Sequence, residues 1–469
     1  MFTFSDVPRI VSPLDPGFRP ISLARRAFRE EIARARTSAW LTFALERDQG
    51  QVSIVREAVF ADAHPLASHN AAYAERLLKS LLWQRGAGRV LVSGPSSAVA
   101  ELAETYSPSG ARAFDAAFFG NVYERTFSVE PTREDQLPRA RERARPLGGD
   151  FRGCRIGFDA GGSDCKVAAL ADGEVVYADE FAWEPKAHDD PRYHLAMVHD
   201  CIRTARTKLA GLDAIGVSSA GIYVNNQTRV ASLFRRVPKA AFDEHIRNIY
   251  ADLEQQWGVP VEVANDGDVA ALAGSLELGS GSLLGLAFGT SLAAGFVDEE
   301  RRILGWLNEL AFAPLDLAEA APRDEEWSGD CGTGVQYLSQ DAALRLAASA
   351  NLELKAGTKA ERLRELQLRA EDNERAAISV FETMGVYLGY ALLDYAEFYP
   401  MRNVLLLGRV TSGVAGGELL KAAQHVLSAE APALLERVTL HLPAEAQRRV
   451  GQATAAASLP VLTGRAGLA

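Results

Sequence analysis

The residues best suited to chemistry form the stretch Asp159-Ala160-Gly161-Gly162-Ser163, which follows an apolar run. Glycine has no Cβ, so the backbone N–H groups of such a turn can approach a phosphate closely. The carboxylate of Asp159 could hold Mg²⁺ directly or through water. Since a second apolar run begins after Asp164, the pattern predicts a β-hairpin whose turn is either a phosphate-binding loop or an ordinary glycine-rich turn.

Two later turns again combine glycine with hydroxyl or polar residues after an apolar run, namely Gly289-Thr290-Ser291 and Gly408-Arg409 with the glycines up to Gly417. Upstream of both, a predicted strand at residues 259–264 ends in Asn265-Asp266. Ligands of α/β sheets collect at the carboxyl ends of the strands. Two facing glycine turns could hold the phosphates of one nucleotide, and Asp266 would then lie near the γ-phosphate as a general base for an attacking hydroxyl group.

Each of these residues also has a simpler structural interpretation. Asp266 could cap the helix that follows it, Asp159 could bond its own backbone as a turn residue, and Thr290 could be an ordinary hairpin residue. Lys166 follows the first turn on a strand, where it is either a phosphate contact or a solvated charge. Arg409 could lie near a nucleotide or pair with an acidic neighbour. The order of the motifs along the chain, rather than any one turn, favours a nucleotide site.

The elements that must position these residues alternate between strands and helices from residue 151 onward, which predicts an α/β protein. Residues 305–334 have no regular pattern, and their length suggests a functional insertion. Before residue 150, helical spacing extends over residues 21–45, although a strand pair from Leu41 is also possible around residues 48–50. Further helices are predicted at residues 71–86, 97–106, 193–209, 242–257, 269–276, 341–349, 361–368, 374–398 and 449–458.

The composition of the 469 residues is that of a globular protein, with 48% hydrophobic and 24% charged residues. Of the net charge of −11, residues 1–150 contribute about +2 and residues 151–469 about −13, which argues against a nucleic-acid-binding surface on the main body. Since no apolar run approaches the roughly 18 residues of a membrane span, and the N-terminus does not resemble a signal peptide, we expect no membrane. The four cysteines have no paired spacing, so free thiols in the cytoplasm are expected.

The order of the motifs resembles the nucleotide-binding superfold of sugar kinases, actin and heat-shock proteins, and within it the ROK family of sugar kinases and repressors. Residues 159–163 look like the first phosphate motif of that family, and residues 263–272 are similar to the segment whose Asp is the catalytic base. Gly289-Thr290-Ser291 resembles the second phosphate motif, and residues 406–410 the strand and turn beside adenosine. The resemblance covers about residues 155–460 and implies an actin-like, hexokinase-type α/β fold of two similar ribonuclease-H-like domains.

The resemblance also implies roles for individual residues. Asp266 would be the catalytic base and Asp159 the Mg²⁺-side carboxylate, directly or through water. Asn225 lies with Asn226 in a loop where the family approaches its sugar, although a turn is the simpler interpretation. The implied substrate-binding residues are Asn225, Asn265, Asp266 and Glu309. The implied nucleotide-binding residues are Gly161, Gly162, Ser163, Lys166, Gly289, Thr290, Ser291, Gly408 and Arg409.

Two departures from the family concern the sugar and zinc sites. ROK kinases carry Glu-x-Gly-His, in which the Glu and His meet the sugar and the His also ligates zinc, whereas here Glu309 is kept and Phe312 replaces the His. The cysteine-rich loop that should follow keeps only Cys331 and lacks its sugar-binding Glu. One thiol cannot complete a tetrahedral zinc site, so no zinc is expected.

We therefore expect an ATP- and Mg²⁺-dependent kinase that acts on a hydroxyl group of a sugar or sugar-like molecule. The alternatives are a catalytically degenerate sugar or nucleotide sensor, or a ROK-type regulator. A homodimer is possible, as in related proteins. The expected organisation is an accessory α/β segment at residues 1–137, a charged linker at 138–150, and the two halves of the kinase fold at 151–275 and 276–469.

Overall fold

The structure is a computed structural model that describes Phe4 and residues 6–142, 147–442 and 451–462. Its contacts divide the chain into a first unit, made of Met1–Glu142, Leu286–Ala294 and Trp306–Leu442, and a second unit, made of Arg143–Gly285, Gly295–Gly305 and Pro443–Ala469. The accessory segment thus belongs to the first unit, while the boundaries expected for the halves of the kinase fold stay predictions. Residues 143–146 of the expected linker lie outside the described residues.

The N-terminal part of the first unit contains a sheet with helices packed around it. Its elements are α1 (Ile21–Arg34), β1 (Ser38–Glu46), β2 (Val52–Phe60), α2 (Asn70–Arg85), β3 (Arg89–Ser93), α3 (Ser96–Thr105), α4 (Ala113–Tyr123) and β4 (Ser128–Pro131). The strand order is β2-β1-β3-β4, with β1 antiparallel to both neighbours and β3 parallel to β4. The helix predicted over residues 21–45 is therefore wrong beyond Arg34, because β1 is hydrogen-bonded between two strands. The alternative strand pair is confirmed.

The second unit is built on a five-stranded sheet. Its elements are β5 (Cys154–Ala160), β6 (Asp164–Ala171), β7 (Glu174–Ala182), α5 (Pro191–Arg206), β8 (Ala214–Ser219), β9 (Ile222–Val224), β10 (Gln227–Val230), α6 (Lys239–Ala241), α7 (Ala251–Trp257), β11 (Val261–Asn265) and α8 (Asp266–Leu278). The order is β11-β8-β5-β6-β7, in which β5, β8 and β11 run parallel and β6 returns antiparallel to β5. The predicted hairpin at residues 156–170 is confirmed.

The single helix predicted over residues 242–257 is wrong. A π-helical turn occupies Phe242–Ile246, and α7 begins only at Ala251. The carbonyl oxygen of Arg247 accepts a hydrogen bond from the backbone N–H of Thr228, at 2.8 Å. That oxygen would otherwise accept from Ala251 in a continuous helix, so pairing with the neighbouring β-hairpin interrupts the helix.

The remaining elements follow a second hairpin. They are β12 (Leu283–Phe288), β13 (Leu292–Val297), α9 (Gln340–Ser349), α10 (Lys359–Glu371), α11 (Arg375–Tyr395), β14 (Asn403–Leu407), α12 (Gly413–Glu430), α13 (Pro432–Arg437), β15 (Thr439–His441) and α14 (Gly451–Ala457). The four strands form a sheet in the order β13-β12-β14-β15. Residues 305–333 contain only isolated bridges, as the sequence predicts for an insertion. Residues 449 and 450 of the last predicted helix lie outside the described residues.

The longest helix, α11, is the only described helix that could cross a membrane by length and composition. However, 72% of its most apolar window is buried within the structure. Tyr387 and Tyr390 are among its fully buried side chains. Its apolar character is therefore that of a core helix of the first unit.

Helix α14 covers one face of the sheet in the second unit, and two strand glycines allow its close approach. A Cβ on Gly157 of β5 would lie 1.8 Å from the carbonyl oxygen of Ala453, and a Cβ on Gly216 of β8 would lie 1.7 Å from that of Ala456. Real Cβ atoms do not come so close to an oxygen. Glycine at both positions is therefore required for the helix to rest directly on the strands.

Candidate functional site

The turn between β5 and β6, residues 161–163, is called the first glycine turn here and belongs to the second unit. The N–H of Gly161 bonds the carbonyl oxygen of Asp164 at 3.0 Å, which closes the hairpin. Gly162 and Ser163 are exposed, and their N–H groups donate to no acceptor in the part of the chain that the structure describes. The turn therefore offers two unused donors to an anion.

Asp159 lies at the carboxyl end of β5, opposite Ser218 of β8. Its side chain is 6% exposed and accepts a hydrogen bond from Ser218 Oγ at 2.7 Å. Burial raises the pKa of the Asp159 carboxyl to about 6, against the opposing effects of Ser218 and Lys166, and the nearby Asp266 charge adds to the rise. A buried carboxylate that repels a second one is a suitable partner for a divalent cation.

Asn265 and Asp266 join β11 to α8 with distinct roles. Asn265 caps the helix, since its Oδ1 accepts from the N–H of Gly267 at 2.7 Å and its Nδ2 donates to the carbonyl oxygen of Gly221 at 2.7 Å. The alternative that Asp266 is the cap is wrong, because Asp266 is the first helical residue. Burial raises the pKa of Asp266, and the hydrogen bond from Gly267 opposes this. Asp266 is therefore not required for capping and can accept a proton.

A third element, α14, meets this edge of the sheet through Gln452. The Gln452 amide donates to Ser218 Oγ at 3.1 Å and to the carbonyl oxygen of Asp266 at 3.0 Å. It thus links the partner of Asp159 to the first turn of α8. Sequence reasoning missed Gln452, since it lies in an alanine-rich helix almost 200 residues downstream.

Two further candidate residues of the second unit, Lys166 and Asn225, have a structural explanation in their immediate surroundings. Lys166 Nζ lies 2.5 Å from Asp164 Oδ1, so its charge is already paired. Asn225 and Asn226 both have positive φ in the turn between β9 and β10, as the turn interpretation requires. Asn226 is also bonded to the backbone of Val261 and Val263. The phosphate role of Lys166 and the sugar role of Asn225 stay predictions.

In the first unit, residues 289–291 form the second glycine turn, between β12 and β13. The N–H of Gly289 bonds the carbonyl oxygen of Ser291 at 2.9 Å, and the carbonyl oxygen of Gly289 accepts from the N–H of Gln340 at 2.8 Å. Thr290 and Ser291 are exposed, and their N–H groups have no acceptor among the described residues. This turn repeats the arrangement of the first one.

Gly408 follows β14 beside this second turn. Its φ is 94°, and a Cβ there would lie 2.3 Å from the carbonyl oxygen of Phe288. Arg409 is exposed, and no carboxylate of the described residues forms an ion pair with its side chain. Of the two interpretations of Arg409, pairing with an acidic neighbour is therefore not observed among the described residues.

Glu309 lies in the irregular segment of the first unit, and α2 anchors it. The backbone N–H groups of Asn308 and Glu309 donate to the carbonyl oxygens of Gln84 and Trp83, at 3.0 and 2.9 Å. Phe312, which replaces the family's His, packs on Trp83 with ring centroids 4.5 Å apart. The N-terminal segment thus contacts the segment where the sugar-binding residues of the family lie.

Metal ligands are sparse in this arrangement. No group of three or more His, Cys, Asp or Glu side chains within residues 6–142, 147–442 and 451–462 is placed to hold a metal ion. Mg²⁺ does not need such a group, because it usually keeps several waters and is held by one or two carboxylates together with substrate phosphates. Asp159 meets that requirement.

A family model described as the ROK family matches residues 155–441. Among solved structures, a ROK hexokinase from Thermus thermophilus is similar, with 20% identity, 65% of this chain and 97% of that chain covered, and a TM-score of 0.50. A ROK family transcriptional regulator, a homologue of the E. coli MLC protein, has 17% identity over 65% of this chain and 76% of its own, with a TM-score of 0.50.

A ROK family glucokinase from Streptomyces griseus, solved in complex with glucose and AMPPNP, has 19% identity over 65% of this chain and 98% of its own, with a TM-score of 0.48. A search of curated proteins finds no match. The family model and the first two structures confirm the predicted hexokinase-type fold.

Proposed function

The chain belongs to the ROK family, and from this premise we propose that it transfers the γ-phosphoryl group of ATP to a hydroxyl group of a sugar or sugar-like molecule. One observation carries the proposal. Asp159 is buried and Asp266 is half-buried, and the two lie close enough for the charge of Asp266 to raise the pKa of Asp159. The first glycine turn beside them has unused N–H donors. Strongly perturbed carboxyl groups next to an anion-binding turn are typical of catalytic sites.

In the proposed reaction, Asp266 is the general base. It accepts the proton of the substrate hydroxyl as the hydroxyl oxygen bonds to the γ-phosphorus, and ADP leaves with the electron pair of the broken bond. The raised pKa of Asp266 makes the carboxylate a better proton acceptor than a solvated one. Gln452 and Asn265 hold the first turn of α8 and thereby orient Asp266.

The first glycine turn binds phosphate groups of ATP through its unused backbone N–H groups. Asp159 is the residue that would hold Mg²⁺, directly or through water, and the ion would neutralise charge on the phosphates. Phosphoryl transfer depends mainly on positioning and on such charge neutralisation. The protein therefore needs little further covalent chemistry.

The acceptor is proposed as sugar-like because Glu309 is retained while the His and second Glu of the family are absent. Fewer paired polar groups weaken discrimination among hydroxyl compounds. The proposal includes a cytoplasmic location, where ATP and reduced thiols are maintained. It is supported by the four free cysteines among the described residues.

The proposal is tested by measuring ATP consumption by the full chain with a panel of sugars. Asp266→Asn should lower the rate about 10²- to 10⁴-fold, the usual contribution of a general base. Asp200→Asn, an exposed carboxylate of α5 paired with Arg203, is the matched control and should keep the wild-type rate. If the wild type consumes no ATP with any sugar while sugars still raise its Tm, the protein is a sensor and the kinase proposal fails.

The regulator alternative is less well supported. ROK regulators carry an N-terminal helix-turn-helix, whereas the described N-terminal residues form a four-stranded sheet with helices. DNA binding that weakens steeply with salt would revive this alternative.

A further inference from the structure

Lys186 is a lysine beside the first glycine turn to which the sequence motifs assign no role. It lies in the one-turn helix Pro185–Ala187 that follows β7. A Cβ built on Gly162 would lie 3.7 Å from Lys186 Nζ, so the ammonium group stands over the turn. Lys186 is exposed, and no described carboxylate lies within ion-pair distance of it.

Trp183 fixes the segment that carries Lys186 to the turn. Its backbone N–H bonds the carbonyl oxygen of Ser163 at 3.3 Å, and its indole N–H bonds that of Gly161 at 2.8 Å. The side chain is 2% exposed and belongs to the core of the second unit. The Lys186 backbone is thereby held in register with the turn.

The same segment is held from its other end. Arg236 Nη1 donates to the carbonyl oxygen of Ala187 at 3.2 Å, and the hydroxyl of Tyr193 accepts from the N–H of Glu184 at 2.9 Å. Lys186 therefore lies between two anchored neighbours, and only its flexible side chain is free to adjust to a ligand.

Lys186 also lines a cavity with the unused donors. The cavity has a volume of about 540 Å³, and its lining includes Gly162, Ser163, Trp183, Lys186 and Tyr193, all of the second unit. It therefore combines two backbone N–H donors, one ammonium group and an aromatic wall. Such a combination suits a phosphate group, since Lys binds phosphate as a point charge.

A comparison with Lys166 shows why Lys186 is the better candidate. Lys166 is held 2.5 Å from Asp164 Oδ1, which neutralises it. Lys186 has no such partner among the described residues, and its charge acts on Asp266, whose pKa it lowers against the dominant effect of burial. The free positive charge therefore lies near both the glycine turn and the proposed base.

We propose that Lys186 is a phosphate-binding residue that contacts the terminal phosphate of ATP over the first glycine turn and neutralises the charge of the transferred group. This inference rests on the proposed function, because it takes ATP to be the ligand of that turn. It adds a side-chain cation to a site that otherwise consists of backbone N–H groups and Mg²⁺. Removal of the Lys186 side chain should weaken the binding of a nucleotide only when that nucleotide carries the terminal phosphates.

The test uses calorimetric titration of the full chain with Mg²⁺–ATP and, separately, with AMP. Lys186→Met should weaken Mg²⁺–ATP binding at least tenfold and leave AMP binding unchanged, and Lys186→Arg should retain most of the ATP affinity. Lys239→Met is the matched control, since Lys239 is an exposed lysine of the same unit that bonds Asp243. It should bind both nucleotides as the wild type does.

The outcomes separate this inference from the proposed function. If Lys186→Met binds Mg²⁺–ATP with wild-type affinity, or loses AMP affinity equally, the phosphate role of Lys186 is wrong even when sugar-dependent ATP consumption is observed. If the wild type binds Mg²⁺–ATP and Lys186→Met loses that affinity selectively while no sugar is phosphorylated, the phosphate-binding role of Lys186 holds and the kinase proposal fails. If the wild type binds neither nucleotide, both are overturned.

Discussion

Asp159 and Asp266 are two carboxyl groups that the fold holds at one edge of the sheet in the second unit. Parallel pairing of β5, β8 and β11 brings the ends of the strands together. Burial is the main cause of the raised pKa of both residues. A protein that only needed a turn at this position would gain stability from exposing these carboxyl groups, so their burial indicates a binding or catalytic use.

The burial of Asp159 predicts a specific pH dependence of stability. Its pKa is about 6 in the folded protein against 3.8 for the ordinary group, so ionisation favours unfolding. This cost is absent below the ordinary pKa, grows as pH rises toward 6, and is fully present above it. Asp159→Asn should therefore stabilise the protein at pH 7.5 by roughly 2–3 kcal/mol, and by nothing at pH 3.5, as measured by denaturant unfolding.

The proposed binding of Mg²⁺ by Asp159 is tested by the effect of the ion on thermal stability, with a control variant. Mg²⁺ should raise the wild-type Tm at pH 7.5 and leave Asp159→Asn unchanged, since the variant lacks the carboxylate. Asp252→Asn, an exposed carboxylate of α7, should behave as the wild type in both measurements. If Asp159→Asn exceeds the wild type in stability by no more at pH 7.5 than at pH 3.5, the buried charge carries no cost.

At the scale of single residues, the sequence predicts those candidate site residues that belong to a local motif. Asp159, Asp266 and Thr290 are predicted as site residues because each follows an apolar run in the sequence. The distinction between Asn265 as the cap and Asp266 as the first helical residue needs geometry, since both residue types cap helices. Lys186 and Gln452 belong to no motif, and only the packing of β7 and α14 brings them to the site.

The contact of α14 with β5 and β8 shows how one element supports the site. Glycine at positions 157 and 216 lets the helix rest on the strands, and the helix carries Gln452 to Ser218 and to the backbone of Asp266. A change in this contact should move the amide away from its two acceptors. We therefore expect stability and the proposed catalysis to be coupled through this helix.

Gly157→Ala tests this coupling. The added Cβ would meet the carbonyl oxygen of Ala453 at 1.8 Å, so α14 must shift, and we expect a loss of about 3 kcal/mol or more in the free energy of unfolding. Sugar-dependent ATP consumption should fall with it. Gly211→Ala is the matched control, because no atom lies within 4 Å of its added Cβ, and it should change stability by at most about 1 kcal/mol. Wild-type stability of Gly157→Ala would contradict the packing argument.

Helices and strands were predicted correctly where their sequence pattern is local, and wrongly where contacts with distant residues decide the structure. The hairpin β5–β6 and the helices α2 and α11 have strong local periodicity, and they were predicted correctly. The strand β1 was read as helix over part of its length because its pairing with β2 and β3 lies outside the local pattern. The break between Phe242 and Ala251 depends on a hydrogen bond from Thr228, which spacing along the helix does not reveal.

At the scale of the whole chain, the N-terminal segment supports the irregular segment within the first unit. Asp330 lies 2.7 Å from Lys79 Nζ of α2 and 2.9 Å from Arg112 Nη1. Lys79 is fully buried and also pairs with Asp115 at 3.3 Å. The sequence did not predict this ion-pair cluster, because Asp330 is more than 200 residues from Lys79 and Arg112. The N-terminal segment is therefore suited to hold the segment that carries Glu309.

Asp330→Asn tests whether this support affects the substrate. Burial opposes ionisation of Asp330, but Lys79 and Arg76 outweigh it and lower its pKa. The ionised group thus stabilises the fold above its ordinary pKa, and this stabilisation is lost as pH falls through the lowered value. At neutral pH the variant removes one of the two carboxylates that pair with the buried Lys79, so we expect a loss of roughly 3 kcal/mol in the free energy of unfolding, which shrinks on acidification.

The same variant should raise the KM for the sugar with a smaller effect on kcat. Backbone bonds from Gly334 to Ala313 and from Val335 to Ala311 connect the Asp330 region to the residues after Glu309, so loosening one end displaces the other. Asp341→Asn removes an exposed ion pair with Lys359 and should change neither quantity, since such pairs contribute little. An unchanged KM beside the full loss of stability would assign the N-terminal segment a structural role alone, because the geometry around Glu309 would then be independent of the ion-pair cluster.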